Sequence, residues 1–368
     1  LAGIYFHVPF CRKKCTYCDF HFSTTFSGYR TPLLELMKQE FNQRKHELKE
    51  PVETIYLGGG SPGILTPKEL EMLLKEPFNL AGNQWIELTL EANPEDVTET
   101  NLTAWKNLGI NRISLGVQSL NADILRWMNR NHSVEQSLHA LTLLETHGFS
   151  LSIDLIFGIP NQHIHDVLAV IELVDRYHIE HLSAYALTKE PNTALDRWIK
   201  QGKNPDIDDE LQIEHYYAIQ SALKARNFTQ YEVSNYAKNN QVAKHNSNYW
   251  AGKPYLGIGP GAHSFDGVST RRWNVSNNQR YMKQQEWFEL ETLSENNIWN
   301  ECWLTGLRTA YGVSLDNLQL LGGVSISEME TLKKLQEGGM LRLENTHYTL
   351  TDSAWLSADR LASELFRI

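Results

Sequence analysis

Through the first two-thirds of the chain, short apolar and β-branched runs alternate with longer stretches in which apolar residues recur every three or four positions. The first pattern predicts strands at Ile4–Val8, Thr54–Leu57, Ile86–Glu91, Arg112–Gly116, Leu151–Phe157 and Leu182–Leu187. The second predicts helices at Thr31–Leu48, Pro67–Leu74, Glu99–Leu108, Ser133–His147 and Ile164–Tyr177. Repeated βα units place parallel strands side by side, with crossover helices on one side of a curved sheet. Six strands are too few to close an eight-stranded barrel. The expected fold is therefore α/β, a partial (β/α)6 barrel.

After Leu187 the alternation weakens. Lys200–Asp209 is expected to be a loop, Glu210–Asn227 a helix and Tyr231–Ser234 one more strand. Lys238–Arg272 is rich in Asn, Gly, His and aromatic residues with little periodicity, and is expected to be a long functional loop. From about Glu289 short helices follow at Asn300–Ala310, Leu315–Leu321 and Ser327–Glu337. A hairpin at Leu341–Leu343 and Tyr348–Leu350 and a last helix complete a winged-helix-like module. The chain thus divides into a barrel (1–230), a loop-rich extension (231–288) and a small C-terminal domain (289–368).

Composition adds exclusions. With 41% hydrophobic and 21% charged residues the chain is globular rather than disordered. A net charge of -10 gives no broad basic surface, which argues against a nucleic acid as the main partner. On the helix Ser327–Glu337, the run Glu328-Met329-Glu330 likewise offers no basic recognition face, although a zinc-stabilised binding module built on the winged helix stands as an alternative. The chain has no apolar stretch near the length needed to span a bilayer, and Leu1–Val8 is too short for a signal peptide. Four cysteines, three of them between positions 11 and 18, fit a reducing, cytoplasmic setting better than a disulfide framework.

Cys11-x-x-x-Cys15-x-x-Cys18 directly follows the first strand, so its thiols are expected at the C-terminal mouth of the barrel. Thiolates select zinc or iron-sulfur clusters. Zinc would need a fourth ligand from His7, Asp19, His21 or Cys302, whereas three thiolates on a four-iron cube leave one iron open. Spacing alone leaves both readings standing.

The segment Ile4 to Phe20, with its aromatic Tyr17 before the third cysteine, resembles the opening of radical S-adenosylmethionine proteins of the oxygen-independent coproporphyrinogen III oxidase type. The resemblance implies a [4Fe-4S] cluster on Cys11, Cys15 and Cys18. It further implies S-adenosylmethionine bound by Gly59, Gly60 and Ser61 of the Gly-rich stretch, by Glu91, Gln118 and Asp154 at strand ends, and by Arg130 and Tyr5. Taken singly, each of these residues reads equally as a cap, a loop-ordering bond or, for Tyr5, core packing.

Within that family, Phe20 stands where the porphyrinogen-oxidising members carry a fourth cysteine. The strings Tyr231 to Ala237, His245-Asn246-Ser247-Asn248-Tyr249-Trp250 and Gly257 to Phe265 resemble the heme chaperone branch instead. That branch implies heme as a further cofactor, with His245 as candidate ligand, and heme-accepting proteins as partners. The cluster implies an electron donor. A homodimer and a peripheral membrane contact are open to such a protein, but no strongly basic amphipathic helix marks a membrane face. The alternative activity is oxidative decarboxylation of coproporphyrinogen propionates.

Overall fold

The computed structural model describes residues 1–82 and 85–368. Strands β1 (Ala2–Val8), β2 (Val52–Gly59), β3 (Glu87–Ala92), β4 (Arg112–Gln118), β5 (Ser150–Phe157) and β6 (His181–Ala186) are parallel and adjacent in chain order. The crossovers carry α1 (Arg30–Arg44), α2 (Pro67–Ala81), α3 (Glu99–Asn107), α4 (Ala122–Trp127) with α5 (Val134–His147), and α6 (Ile164–Arg176). Their starts are written locally. Thr66 and Glu69 form a capping box ahead of Pro67 in α2, Ser133 and Gln136 do the same for α5, and Gly148, left-handed at φ 63°, stops α5.

Side-chain alternation divides the two faces of the sheet. Ile4, Phe6 and Val8 of β1, Leu88 and Leu90 of β3, and Ile153 and Leu155 of β5 are buried in the apolar core. Each such burial contributes roughly 1.5–3 kcal/mol. The opposite face is polar: Thr54 bonds His245, Tyr56 bonds Glu91, and Ser114 bonds Asp154. Apolar contact with the helices holds the barrel together from outside, and its interior is left for polar groups.

Beyond β6 come α7 (Ala194–Lys200), α8 (Asp209–Lys224), β7 (Thr229–Gln230) and β8 (Asn235–Ala237), with β8 antiparallel to β6 and β7 to β8. The predicted strand Tyr231–Ser234 is instead the link between β7 and β8. Its backbone pairs elsewhere: the Val233 N–H donates to Arg308 O at 3.0 Å, and Glu232 bridges Thr309.

The stretch expected to be a long loop is largely ordered. It holds α9 (Lys244–Trp250), β9 (Tyr255–Ile258), β10 (His263–Phe265) and β11 (Thr270–Asn274), with α10 (Asn278–Lys283) and β12 (Phe288–Thr292) after it. β9 lies parallel to β1, and β10, β11 and β12 extend the sheet antiparallel to give twelve strands in all. Strands of three to five residues are too short to show a period, and Asn, Gly and His disguised them.

The C-terminal module contains α11 (Glu295–Leu307), β13 (Val313–Ser314), α12 (Leu315–Leu320), α13 (Ile326–Glu337), β14 (Leu341–Glu344), β15 (His347–Leu350) and α14 (Ala358–Ser363). The predicted hairpin gains β13 as a third strand. Trp299 and Trp303 are fully buried, and one apolar cluster runs from the barrel helices into this module. Among the described residues no helix is long and apolar enough to cross a membrane.

Candidate functional site

The cysteine loop leaves β1 at Pro9 and returns at Ser23, where two backbone bonds pin its base: Cys11 N–H to Ser23 O at 3.1 Å and Ser23 N–H to Pro9 O at 2.9 Å. Two helices without a clear sequence signal hold its tip. The Thr16 N–H donates to Met128 O at the end of α4, Asn129 donates to Lys14 O, and the Leu195 N–H of α7 donates to Thr16 O. Beneath it, Ile124, Met128, Ile156, Ile159, Leu187 and Leu195 form a second apolar cluster on which Tyr17 packs.

The loop closes one wall of a cavity of about 640 Å³ at the C-terminal ends of the strands. Cys11, Cys15, Cys18, Gly59, Gly60, Ser61, Glu91, Gln118, Arg130 and Asp154 all line it. Arg130 sits between them: Nη1 is 3.6 Å from Cys15 Sγ, while Nη2 donates to Gly116 O at 3.0 Å and to Asn93. Burial works against that charge, but Tyr17, Cys15 and Glu95 outweigh it and keep the guanidinium protonated. Burial, with the neighbouring thiols adding, pushes Cys11 up to about 12; burial pushes Cys18 up to about 11. Left alone these thiols hold their protons, which a bound iron-sulfur group would displace.

The fit to that group is geometric. Three thiols from one loop face a cavity whose floor is polar, and among the described residues no three His, Cys, Asp or Glu side chains close around a single ion. The set suits a wider cube better than one zinc ion.

The N–H groups of the Gly-rich stretch are taken up within the protein. The Gly59 N–H donates to Glu91 Oε2 at 3.1 Å, Gly60 N–H to Val8 O at 2.9 Å, and Ser61 N–H to Phe10 O at 2.8 Å. Gly60 is needed for close packing, since a Cβ there would lie 2.7 Å from both the Val8 and Phe10 carbonyl oxygens. Ser61 donates to Asp96 and accepts from Asn93.

Glu91 accepts from Tyr56 OH at 2.8 Å, and burial raises it to about 7 with Asp154 adding. Asp154 accepts from Ser114, and burial raises it to about 6 against the pull of Arg112. Gln118 ends β4 with φ 65°, and its buried Oε1 has no partner among the described residues. An unpaired acceptor beside raised carboxylates suits a ligand bearing N–H, O–H or cationic groups.

Two expected site residues lie elsewhere. Tyr5 and His245 line an adjoining cavity of about 530 Å³, which shares Asp19, Phe20, Gly59, Glu91 and Tyr185 with the first. Tyr5 OH meets His7 Nδ1 at 3.1 Å. His245 is only 1% exposed, its Nδ1 2.8 Å from Thr54 Oγ1 and its Nε2 2.6 Å from Tyr249 OH. Both imidazole nitrogens thus have hydroxyl partners in this structure. The helix α9 that carries it is seated by Glu87, which accepts the Lys244 and His245 N–H groups at 2.9 Å each. Sequence reasoning missed Asn93, Tyr185 and Arg308 at the first cavity; Arg308 arrives from the C-terminal module, and no local pattern announces it.

Residues 5–174 match the family model of the radical SAM superfamily, and residues 293–357 match that of the HemN C-terminal domain. Heme chaperone HemW of Mycobacterium tuberculosis (strain CDC 1551 / Oshkosh) is 32% identical over 99% of this chain and 94% of its own length. Heme chaperone HemW of Bacillus subtilis (strain 168) is 31% identical over 100% and 98%. The mitochondrial radical S-adenosyl methionine domain-containing protein 1 of Bos taurus is 32% identical over 94% and 82%. Among solved structures, coproporphyrinogen III oxidase (HemN) of Escherichia coli superposes with a TM-score of 0.84 at 20% identity, covering 99% of this chain and 90% of that one. With this arrangement of strands, thiols and matched relatives, the chain belongs to the HemW family within the radical S-adenosylmethionine superfamily.

Proposed function

We propose that this chain is a heme chaperone: it binds heme and passes it to an acceptor protein, and it carries a [4Fe-4S] cluster and S-adenosylmethionine. The observation that carries the reading is the pair of adjoining cavities, one lined by three thiols and the other by imidazoles and phenols, joined through Glu91, Gly59 and Tyr185. Full-length kinship to HemW relatives supports it.

Cys11, Cys15 and Cys18 would hold the cluster, and Glu91, Gln118, Asp154 and Arg130 would hold and orient S-adenosylmethionine beside it. Gly59, Gly60 and Ser61 shape that floor rather than donate to it. When reduced, such a cluster supplies one electron for cleavage of the sulfonium. Arg130 fixes the cysteine loop against the β3 and β4 ends, and the Tyr17 cluster keeps water from beneath it. An electron donor for the cluster and an acceptor for the heme are the partners this requires.

A coproporphyrinogen III dehydrogenase is the second reading. The shared fold is compatible with it, but Phe20, 65% exposed at the cavity mouth, occupies the position of the oxidases' fourth cysteine. The deciding experiment reconstitutes the protein anaerobically, measures iron, sulfide and EPR with and without S-adenosylmethionine, then titrates hemin and offers an apo-cytochrome. Heme binding and transfer without any decarboxylation of coproporphyrinogen III is the expected result. Conversion of coproporphyrinogen without heme binding would reverse the order of the two readings.

A further inference from the structure

We infer that Asn93 and Asp96, acting with Ser61, are positioning residues that aim Arg130 at the Cys15 sulfur and thereby set the reduction potential of the iron-sulfur cluster. The inference rests on the cluster reading and goes beyond it, because neither residue supplies a thiolate. Ser61 and Asn93 line the thiol cavity, and Asp96 stands behind them, 1% exposed. Ser61 lies just beyond the end of β2, and Asn93 follows β3 directly, ahead of the turn Pro94–Asp96.

One chain of polar side chains meets the cysteine loop at both ends. Arg12, next to Cys11, donates to Asp96 Oδ1. Ser61 Oγ donates to Asp96 Oδ2 at 3.2 Å, and the Asn93 N–H donates to the same oxygen at 3.1 Å. Asn93 Nδ2 donates to Ser61 Oγ at 2.7 Å, and Asn93 Oδ1 accepts from Arg130 Nη2. Arg130 Nη1 then lies 3.6 Å from Cys15 Sγ.

The two ends dictate the direction of every bond between them. A guanidinium has no acceptor and a carboxylate has no donor. Arg130 therefore turns the Asn93 oxygen toward itself, Nδ2 is left facing Ser61, and the Ser61 proton goes to Asp96. Asp96 takes three donors on its two oxygens and closes the chain. Such a chain has one arrangement of protons, and its dipoles reinforce one another. A second bond from Nη2 to Gly116 O at 3.0 Å fixes the plane of the guanidinium and leaves Nη1 for the thiol. An N–H donated to a cluster thiolate draws charge from the sulfur and favours the reduced state. Residues that aim this donor tune the potential without contacting the cluster.

The test is a redox titration of the full chain with its cluster assembled, followed by EPR of the reduced state. Asn93→Leu keeps side-chain size and net charge, so a shift reports the hydrogen bond to sulfur and not an altered field. It should lower the reduced-to-oxidised ratio at a fixed poise about tenfold, which is about 59 mV for one electron. Ser61→Ala, a smaller change for the fold, should shift the potential the same way by less. The potential belongs to the loaded fraction alone, so a lower folding yield does not imitate the effect. Combined with Arg130→Met, Asn93→Leu should add nothing further, because it acts through that guanidinium. An unchanged or raised potential in Asn93→Leu (or in Ser61→Ala, should the leucine variant load no cluster) overturns the inference, as does full additivity with Arg130→Met, and the cluster reading then stands. A parent chain that assembles no four-iron cluster overturns the cluster reading, and this inference falls with it.

Discussion

Arg130 joins more of the candidate site than any other single side chain, touching Cys15, Asn93 and the Gly116 carbonyl from a buried position. Arg130→Met should lower cluster occupancy and S-adenosylmethionine affinity by about tenfold or more, and Arg130→Lys should not rescue either, because an ammonium cannot reach three partners in a plane. Iron content and calorimetric titration are the readouts, and full occupancy in the methionine variant would refute the role. Glu91 and Asp154 give a pH dependence. Their folded values, about 7 and about 6, stand above unfolded values near 4. The stability they contribute is therefore whole below about pH 4 and lost as pH rises through 6 and 7. The ligand-free protein should be less stable at pH 8 than at pH 5, by an amount on the order of 4 kcal/mol, and so melt at lower temperature there; Glu91→Gln should flatten that slope. A cationic ligand reverses the sense for binding, which should tighten over the same interval. Glu91 was legible because it closes a predicted strand, where parallel folds gather their chemistry, whereas Asp154, inside its strand, and Arg130, between α4 and α5, were singled out by the family resemblance. Arg308 and Tyr185 were not, since one comes from another module and the other looks like any strand aromatic.

Elements of ordinary length were also legible. The six parallel strands and five crossover helices lie within a few residues of their expected places, except that α2 runs on through Pro77 to Ala81 instead of stopping at Leu74; their periods run long enough to register and their caps are explicit. What escaped was short: α4, α7, α9 and β9 to β11, each from three to seven residues. Their order comes from distant partners. The first turn of α9 rests on Glu87 of β3, some 157 residues away in the chain. Glu87→Ala should therefore unseat the helix and cost about 1–2 kcal/mol, and hydrogen exchange should locate the loss at 244–250 rather than in β3. Gly60→Ala is a sharper test of the Gly-rich stretch. Its Cβ would meet two backbone oxygens at 2.7 Å, a wall that cannot rotate away, so a loss of about 3 kcal/mol and failure to assemble the cluster are expected. A variant of normal stability that fails only in S-adenosylmethionine binding would instead make that glycine a ligand contact.

At the scale of the molecule, the C-terminal module is continuous with the barrel. The Val233 N–H donates to Arg308 O at 3.0 Å, the Ala310 N–H donates to Tyr231 O at 2.9 Å, Lys224 meets Asp352 at 2.8 Å, and one apolar cluster underlies both parts. Calorimetry should show a single unfolding transition, and two separable transitions would show the junction to be weaker than its contacts imply. The sheet ends in β12, whose outer edge among the described strands is unpaired and carries Glu289 and Glu291, charges that discourage another strand from adding on.

The segregation of the barrel strands into an apolar outer face and a polar inner one has a consequence for how such proteins diverge. Residues that keep the scaffold standing and residues that decide its chemistry occupy different positions of the same strands, so selection can rewrite one set while leaving the other alone. A lineage can exchange an inward Tyr, His or Glu for another polar group at little cost to folding, and lose or acquire a reaction without rebuilding its frame. The superposition with HemN at 20% identity is what that independence permits. One architecture can therefore carry more than one chemistry, with the residues of its inner face deciding which.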